Sequence, residues 1–191
     1  MGMKFALPLL LAIASAAPLA AQAEDGKILG LQLRADWPTD NVRDAVGGSS
    51  KLGFGASLQV EQDIEDGYKW RVALGMDQWG WGNWLGQDGF RGRVQATHVT
   101  LEGVKMLRPD VDEHLLGPYL FLGVTACGWT VDQKDADNGV TVTRRVVHPA
   151  GTFGLGYRVT PSWDIEARGL FGRVDPAFSG ELFSLGVTFR F

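Results

Sequence analysis

The sequence predicts an all-β fold, an eight-stranded antiparallel up-and-down transmembrane β-barrel. Three observations predict it. Eight segments of about ten residues alternate apolar and polar side chains with period two. After the N-terminus, no stretch has the roughly 18 uninterrupted apolar residues of a helical span. The connections between segments alternate long and short.

In the first segment Leu29, Leu31, Leu33, Ala35 and Trp37 share one face, and Gly30, Gln32, Arg34 and Asp36 the other. In the second, Leu52, Phe54, Ala56, Leu58 and Val60 alternate with Gly53, Gly55, Ser57, Gln59 and Glu61. In the third, Tyr68, Trp70, Val72, Leu74 and Met76 alternate with Lys69, Arg71, Ala73, Gly75 and Asp77. Thr97, Val99 and Leu101 oppose His98, Thr100 and Glu102 in the fourth. In the fifth, Leu120, Leu122, Val124 and Ala126 oppose Tyr119, Phe121, Gly123 and Thr125, and which face points inward stays open. Phe153, Leu155, Tyr157 and Val159 oppose Thr152, Gly154, Gly156 and Arg158 in the sixth. Trp163, Ile165, Ala167 and Phe171 oppose Asp164, Glu166 and Arg168 in the seventh. Leu185, Val187, Phe189 and Phe191 oppose Ser184, Gly186, Thr188 and Arg190 in the eighth.

Stretches 38–50, 80–91, 132–147 and 174–181 follow the odd segments as long loops. Stretches 62–67, 107–117 and 161–162 follow the even ones as turns, with 107–117 long for its class. This alternation, with an even strand number, places both termini in the periplasm of a bacterial outer-membrane barrel.

In lipid no water satisfies backbone N–H and C=O groups, so a spanning sheet must close. Its outer face then meets hydrocarbon and its inner face meets other side chains. A soluble barrel has the opposite polarity. Here the polar face carries Arg34, Asp36, Glu61, Lys69, Arg71, Asp77, Glu102, Arg158, Glu166, Arg168 and Arg190, six basic to five acidic. A lumen this narrow fits a compensated ionic network better than a pore. Aromatic residues near segment ends (Trp37, Tyr68, Trp70, Trp79, Trp81, Trp129, Tyr157, Trp163) read as interfacial girdles. The run Trp79-Gly80-Trp81-Gly82-Asn83-Trp84 reads as girdle or as a stacking surface for a sugar or other external ligand.

Lys4, the apolar run Phe5 to Leu19 and the small-x-small motif Ala21-Gln22-Ala23 make the three-part signal-peptide pattern. The expected organisation is a signal peptide at 1–23, cleavage between Ala23 and Glu24, and a barrel at 24–191. The net charge of −4 comes without a basic run and gives no sign of nucleic-acid binding. Cys127 is the single cysteine, which excludes an intrachain disulfide and a cysteine-based zinc site. His98, His114 and His148 lack ligand spacing, and no cofactor or metal is expected. Asp132, Asp135 and Asp137 with Asn138-Gly139 lack the rest of a calcium loop, and read as a solvated acidic loop.

The end of the chain, Phe183-Ser184-Leu185-Gly186-Val187-Thr188-Phe189-Arg190-Phe191, resembles the outer-membrane insertion signal recognised by the barrel-assembly machinery. Its recognition positions are Leu185, Val187, Phe189 and Phe191. Together with Gly117-Pro118-Tyr119-Leu120-Phe121-Leu122-Gly123 and Gly154-Leu155-Gly156-Tyr157-Arg158-Val159-Thr160, it is similar to the small outer-membrane β-barrel superfamily. That superfamily includes the transmembrane domain of outer-membrane protein A and the opacity-type surface proteins. The resemblance implies a non-enzymatic envelope protein with a structural or adhesion-type role. Its partners would be outer-membrane lipid and lipopolysaccharide, with the assembly machinery during insertion, and the external ligand stays open. No tethering domain is expected beyond Phe191.

Two alternatives follow from the same resemblance. One is passage of small apolar molecules, as in barrels like outer-membrane protein W. The other is lipid A chemistry of the deacylase type, which uses His and Ser two residues apart beside an acid. Here His98, Thr100 and Glu102 share a face, but threonine stands where serine is needed, so an interior hydrogen-bonding histidine is the better reading.

Overall fold

The computed structural model describes residues 27–39, 42, 52–79, 91–107, 116–134, 141–175 and 178–191. The signal peptide, its Ala23/Glu24 cleavage site, Trp81, Trp84, His114 and most of the acidic loop lie outside the described residues. The chain forms β1 (Lys27–Pro38), β2 (Gly53–Asp63), β3 (Tyr68–Trp79), β4 (Arg91–Met106), β5 (Gly117–Lys134), β6 (Thr141–Thr160), β7 (Trp163–Phe171) and β10 (Leu182–Arg190) as a closed barrel. Every neighbouring pair is antiparallel, and β10 returns to β1 to close the sheet. The expected loop 174–181 holds part of a small side hairpin, β8 (Arg173–Asp175) with β9 (Phe178–Ser179).

The pairing register sets the shape. Stepping around the barrel from Trp37 through Phe183, Gly169, Phe153, Leu122, Gly103, Trp70 and Gln62 returns to β1 at Lys27, ten residues below the start. With a rise of about 3.3 Å per residue and a strand spacing of about 4.8 Å, that shear tilts the strands by roughly 40°.

Side-chain exposure is inverted relative to a soluble protein. Leu74, Leu122, Val124 and Leu155 are 60–70% exposed, whereas Arg71, Asp36 and Asp164 are fully buried. In water each such exposed side chain would forgo about 1.5–3 kcal/mol of burial. In hydrocarbon it forgoes nothing, so the outer wall is a lipid-facing surface. The face of the fifth strand is now decided: Tyr119, Phe121, Thr125, Cys127 and Trp129 point inward, and Leu120, Leu122 and Val124 point out.

Several strands are longer than the sequence suggests. β4, β5 and β6 have 16, 18 and 20 residues, so most of the expected loop 132–147 is strand. The reason is a switch of polarity. Along the upper parts of these strands the outward residues become polar (Arg93, Thr97, Thr143, Arg145) and the inward ones apolar (Val94, Ala96, Trp129). The ladder leaves the membrane here and takes the ordinary apolar-inside arrangement of a sheet in water. A search for apolar-out alternation ends where the polarity changes, before the strands do.

The β2–β3 turn spans Ile64–Gly67, with Tyr68 N donating to Glu65 O at 2.8 Å. Asp66 and Gly67 at its centre have φ of 50° and 75°, the signs of a type I′ turn, which Asp-Gly favours. Gly67→Ala is expected to cost about 1 kcal/mol, read as a lower urea midpoint in detergent-folded protein. An unchanged midpoint would mean that the turn adds no constraint. The expected turn 161–162 is also found, Pro161-Ser162 between β6 and β7.

Candidate functional site: the barrel lumen

All eleven sequence-selected charges project into the lumen, each less than 9% exposed. A twelfth, Asp164, joins them fully buried. Its parity with Glu166 and Arg168 on β7 was the signal that marked it. Among the described residues the lumen thus holds six basic side chains (Arg34, Lys69, Arg71, Arg158, Arg168, Arg190) against six acidic ones (Asp36, Glu61, Asp77, Glu102, Asp164, Glu166).

The lower network is built from four carboxylates. Glu61 accepts from Arg158 Nη2 at 2.7 Å and Arg190 Nη2 at 3.2 Å, with Lys69 Nζ at 3.4 Å. Lys69 also pairs with Asp63 at the rim. Asp164 pairs with Arg190 and, at 3.3 Å, with Arg158 Nε. Glu166 accepts from Gln32 and from the Tyr119 hydroxyl, both at 2.7 Å, and from Arg168 Nη2 at 3.1 Å, and it pairs with Arg71. Glu102 accepts from Arg71 Nε at 2.7 Å and pairs with Arg168. The Arg71 and Arg168 guanidiniums both approach the Phe121 ring, 4.9 and 4.7 Å from its centre. In this low-dielectric space a lone charge costs several kcal/mol, and the multiple partners are what make the arrangement tolerable.

Above this layer Arg34 donates to Gln32 Oε1 at 3.0 Å and Ser57 Oγ at 2.9 Å, pairs with Asp77, and lies 2.9 Å from His98 Nε2. His98 Nε2 is also 3.2 Å from Asp77 Oδ2, and Nδ1 is 3.3 Å from Thr100 Oγ1, which contacts Thr125 Oγ1 at 2.8 Å. His98 is therefore joined to Asp77 and Thr100, while Glu102 is committed to Arg71 and Arg168. The Thr100 hydroxyl is buried in the lumen, on the opposite side of the wall from the membrane.

The top of the lumen is apolar. Val42, Trp79, Val94, Ala96, Cys127, Trp129, Leu170 and Leu182 form one buried cluster. Trp79 and Trp129 stack inside it at 5.9 Å and 19°. This corrects their expected place in the outer girdle. Trp79 has the inward parity of Asp77, and Trp129 that of Thr125, so period two sends both rings into the barrel. The outer rings do contain Trp37, Tyr68, Tyr157 and Trp163, with Trp163 against Phe189 at 4.2 Å and Lys105 Nζ over Tyr68 at 3.6 Å. Trp129→Phe is expected to abolish the near-ultraviolet dichroism of the stacked pair and to cost about 1 kcal/mol. Retention of the full dichroic signal in that variant would contradict the stack.

The residues of the expected assembly signal, Leu185, Val187, Phe189 and Phe191, line the outer face of β10 and the chain end, with Leu185 and Phe191 about half exposed. Among the described residues no group of three or more His, Cys, Asp or Glu is placed to hold a metal ion.

No protein-family model and no curated protein matches the chain. Solved structures do. Ail, the attachment invasion locus protein of Yersinia pestis, is similar over 88% of this chain and 100% of its own, at 15% identity and a TM-score of 0.62. The N-terminal β-barrel domain of Pseudomonas aeruginosa OprF covers 87% and 98%, at 12% identity and 0.55. Neisserial surface protein A covers 87% and 98%, at 14% identity and 0.54. At these identities the likeness is one of fold, and the chain has the fold of the small outer-membrane β-barrels.

Proposed function

We propose that the chain is a non-conducting, non-enzymatic surface protein of the bacterial outer membrane, with its termini in the periplasm. On this reading the barrel is an anchor, and its task lies in what β4, β5 and β6 and the connecting stretches present to the outside. The observation that carries it is the filled lumen: twelve paired charges below and a stacked tryptophan cluster above leave side chains where a pore needs water. The role would be structural or adhesion-type, with outer-membrane lipid and lipopolysaccharide as surroundings.

The orientation rests on the turns. Ile64–Gly67 and Pro161-Ser162 lie at the same barrel end as Lys27 and Phe191, and the long strands project from the other. The signal peptide 1–23 would deliver the chain, and Leu185, Val187, Phe189 and Phe191 would engage the barrel-assembly machinery. The Ail protein has been solved with the heparin analogue sucrose octasulfate, which makes sulfated glycans a reasonable first probe for adhesion.

One experiment tests both the location and the closed lumen. Expressed in a Gram-negative host, the protein is expected in the outer-membrane fraction with Glu24 as its first residue. In planar bilayers it is expected to show no discrete current steps. Stable unitary conductance would replace this reading with transport. Altered lipid A mass spectra that revert with His98→Ala would replace it with an enzyme.

A further inference from the structure

β6 outruns its neighbour on one side. Its pairing with β5 runs from Thr141, opposite Lys134, to Arg158, opposite Gly117. Its pairing with β7 begins only at Gly151, opposite Phe171. Above that point the chain leaves β6. Gly172 sits so close to Ala150 that a Cβ there would overlap it, and the segment beyond folds on itself as the β8–β9 hairpin, closed by Gly180 N donating to Gly172 O at 2.8 Å. β8 lies near β6 but does not join its ladder. Among the described residues, no strand pairs with β6 from Thr141 to Ala150 on the side away from β5.

Pro149 shows which backbone groups face that open side. Proline has no N–H, so within a ladder its nitrogen takes the side where no bond is made. Pro149 stands opposite Ala126 on β5, so its nitrogen faces away from β5. Backbone direction alternates with period two, and the N–H and C=O groups of Val147, Arg145 and Thr143 therefore face the open side as well. No described residue bonds them there. Such an edge belongs in water, because hydrocarbon would leave it unsatisfied. Thr143, Arg144 and Arg145 are all exposed, and Val147 is 74% exposed. A bare edge rich in β-branched residues is a template for one more strand.

Charge selects the occupant. On the outward face of this sheet β4 and β6 present Arg93 and Arg145, and neither forms an ion pair with a described residue. Among the described residues the acid on this face is Asp132, which already accepts from Thr143 Oγ1 at 2.8 Å. Arg144 adds a positive charge on the opposite face. A second copy in the same membrane does not fit. It would bring like charges together across the pair. A two-fold axis along the membrane normal would also run both β6 strands in the same direction, crossed by roughly 80°, twice the strand tilt.

We propose that the open edge of β6, from Thr143 to Val147, docks an extended acidic segment of an external protein, added to the sheet as one more antiparallel strand. Backbone bonds to Thr143, Arg145 and Val147 hold the segment. Carboxylates opposite Arg145 and Arg144 set its register, and β-branched side chains lie opposite Val146 and Val147. The proposal rests on the reading of the barrel as a surface anchor and gives that anchor a class of partner.

The test uses a labelled probe peptide, Thr-Thr-Val-Val-Glu-Glu-Thr-Val-Thr, added to the detergent-folded protein. Saturable binding is expected by fluorescence anisotropy, with slowed amide exchange at Thr143, Arg145 and Val147. Val147→Pro removes one edge-facing N–H and spares the β5 ladder, as Pro149 does, and is expected to abolish binding. Arg145→Glu is expected to weaken the acidic probe by about tenfold and to bind instead the probe carrying Lys in place of Glu. Absence of saturable binding to the natural protein overturns the proposal. So does binding that survives Val147→Pro, or binding without protection of those three amides, which is charge attraction alone. Two chains per detergent particle, reduced to one by Val147→Pro, assigns the edge to a second copy instead. None of these results bears on the anchor reading, which membrane fractionation and the bilayer recording test separately.

Discussion

Replacing Glu166 with alanine is expected to destabilise the barrel by about 3–5 kcal/mol, the cost of leaving buried charges without their partner. Glu166 is 1% exposed and serves four donors, Arg71, Arg168, Gln32 and Tyr119. Its removal leaves two guanidiniums to share Glu102 and tilts the lumen to six positive and five negative side chains. Glu166→Gln keeps an acceptor for Tyr119 but removes the charge, and is expected to fall between the two. Combining Glu166→Gln with Arg71→Met restores the balance at five and five, and is expected to recover part of the loss. Urea-induced unfolding from detergent micelles reads all three. A loss under about 1 kcal/mol in Glu166→Ala would show that the lumen admits enough water to screen the network.

Leu122→Arg is expected to cost about 2–4 kcal/mol in a bilayer, the cost of a guanidinium on the lipid face near the midplane. Leu122 is 70% exposed and lies at the centre of the outward run Leu120, Leu122, Val124 on β5. The same substitution at Thr143, exposed on β6 beyond the polarity switch, is expected to change stability by less than about 0.5 kcal/mol, as at an ordinary water-facing position. The contrast between the two sites matters more than either number. Equal effects would mean that the apolar belt does not meet hydrocarbon, and the membrane reading of the outer wall would fail.

These two predictions probe the two sides of one wall, and the sides differ in how readable they were. Each strand's membrane-facing residues follow from alternation, because neighbouring side chains on an extended chain point in opposite directions whatever the rest of the fold does. Parity places Arg34, Glu61, Arg71 and Arg168 in the lumen, and Asp164 with them. Trp79 and Trp129 obey the same alternation. Residue type, an aromatic near a strand end, suggests the interface, but parity is the physical constraint and turns both rings inward.

Strand length was hidden by the solvent. The rule apolar-out holds only in lipid, and β4, β5 and β6 continue into water with Val94 and Trp129 turned inward and Thr143 and Arg145 turned out. The pleat continues unbroken while the medium on the far side changes, so an inspection for one polarity pattern stops at the boundary.

The amino-acid order alone determined the strand number, the antiparallel meander, the lipid-facing set and the charged character of the lumen, since each depends on local periodicity and on turn chemistry. Only the closed tertiary structure decided the ten-residue shear, the inward face of β5 and the partner of each charge. Those depend on contacts between side chains far apart in the chain, such as Gln32 and Glu166, 134 residues apart. Local pattern specifies which way a side chain points, and barrel closure specifies what it finds there.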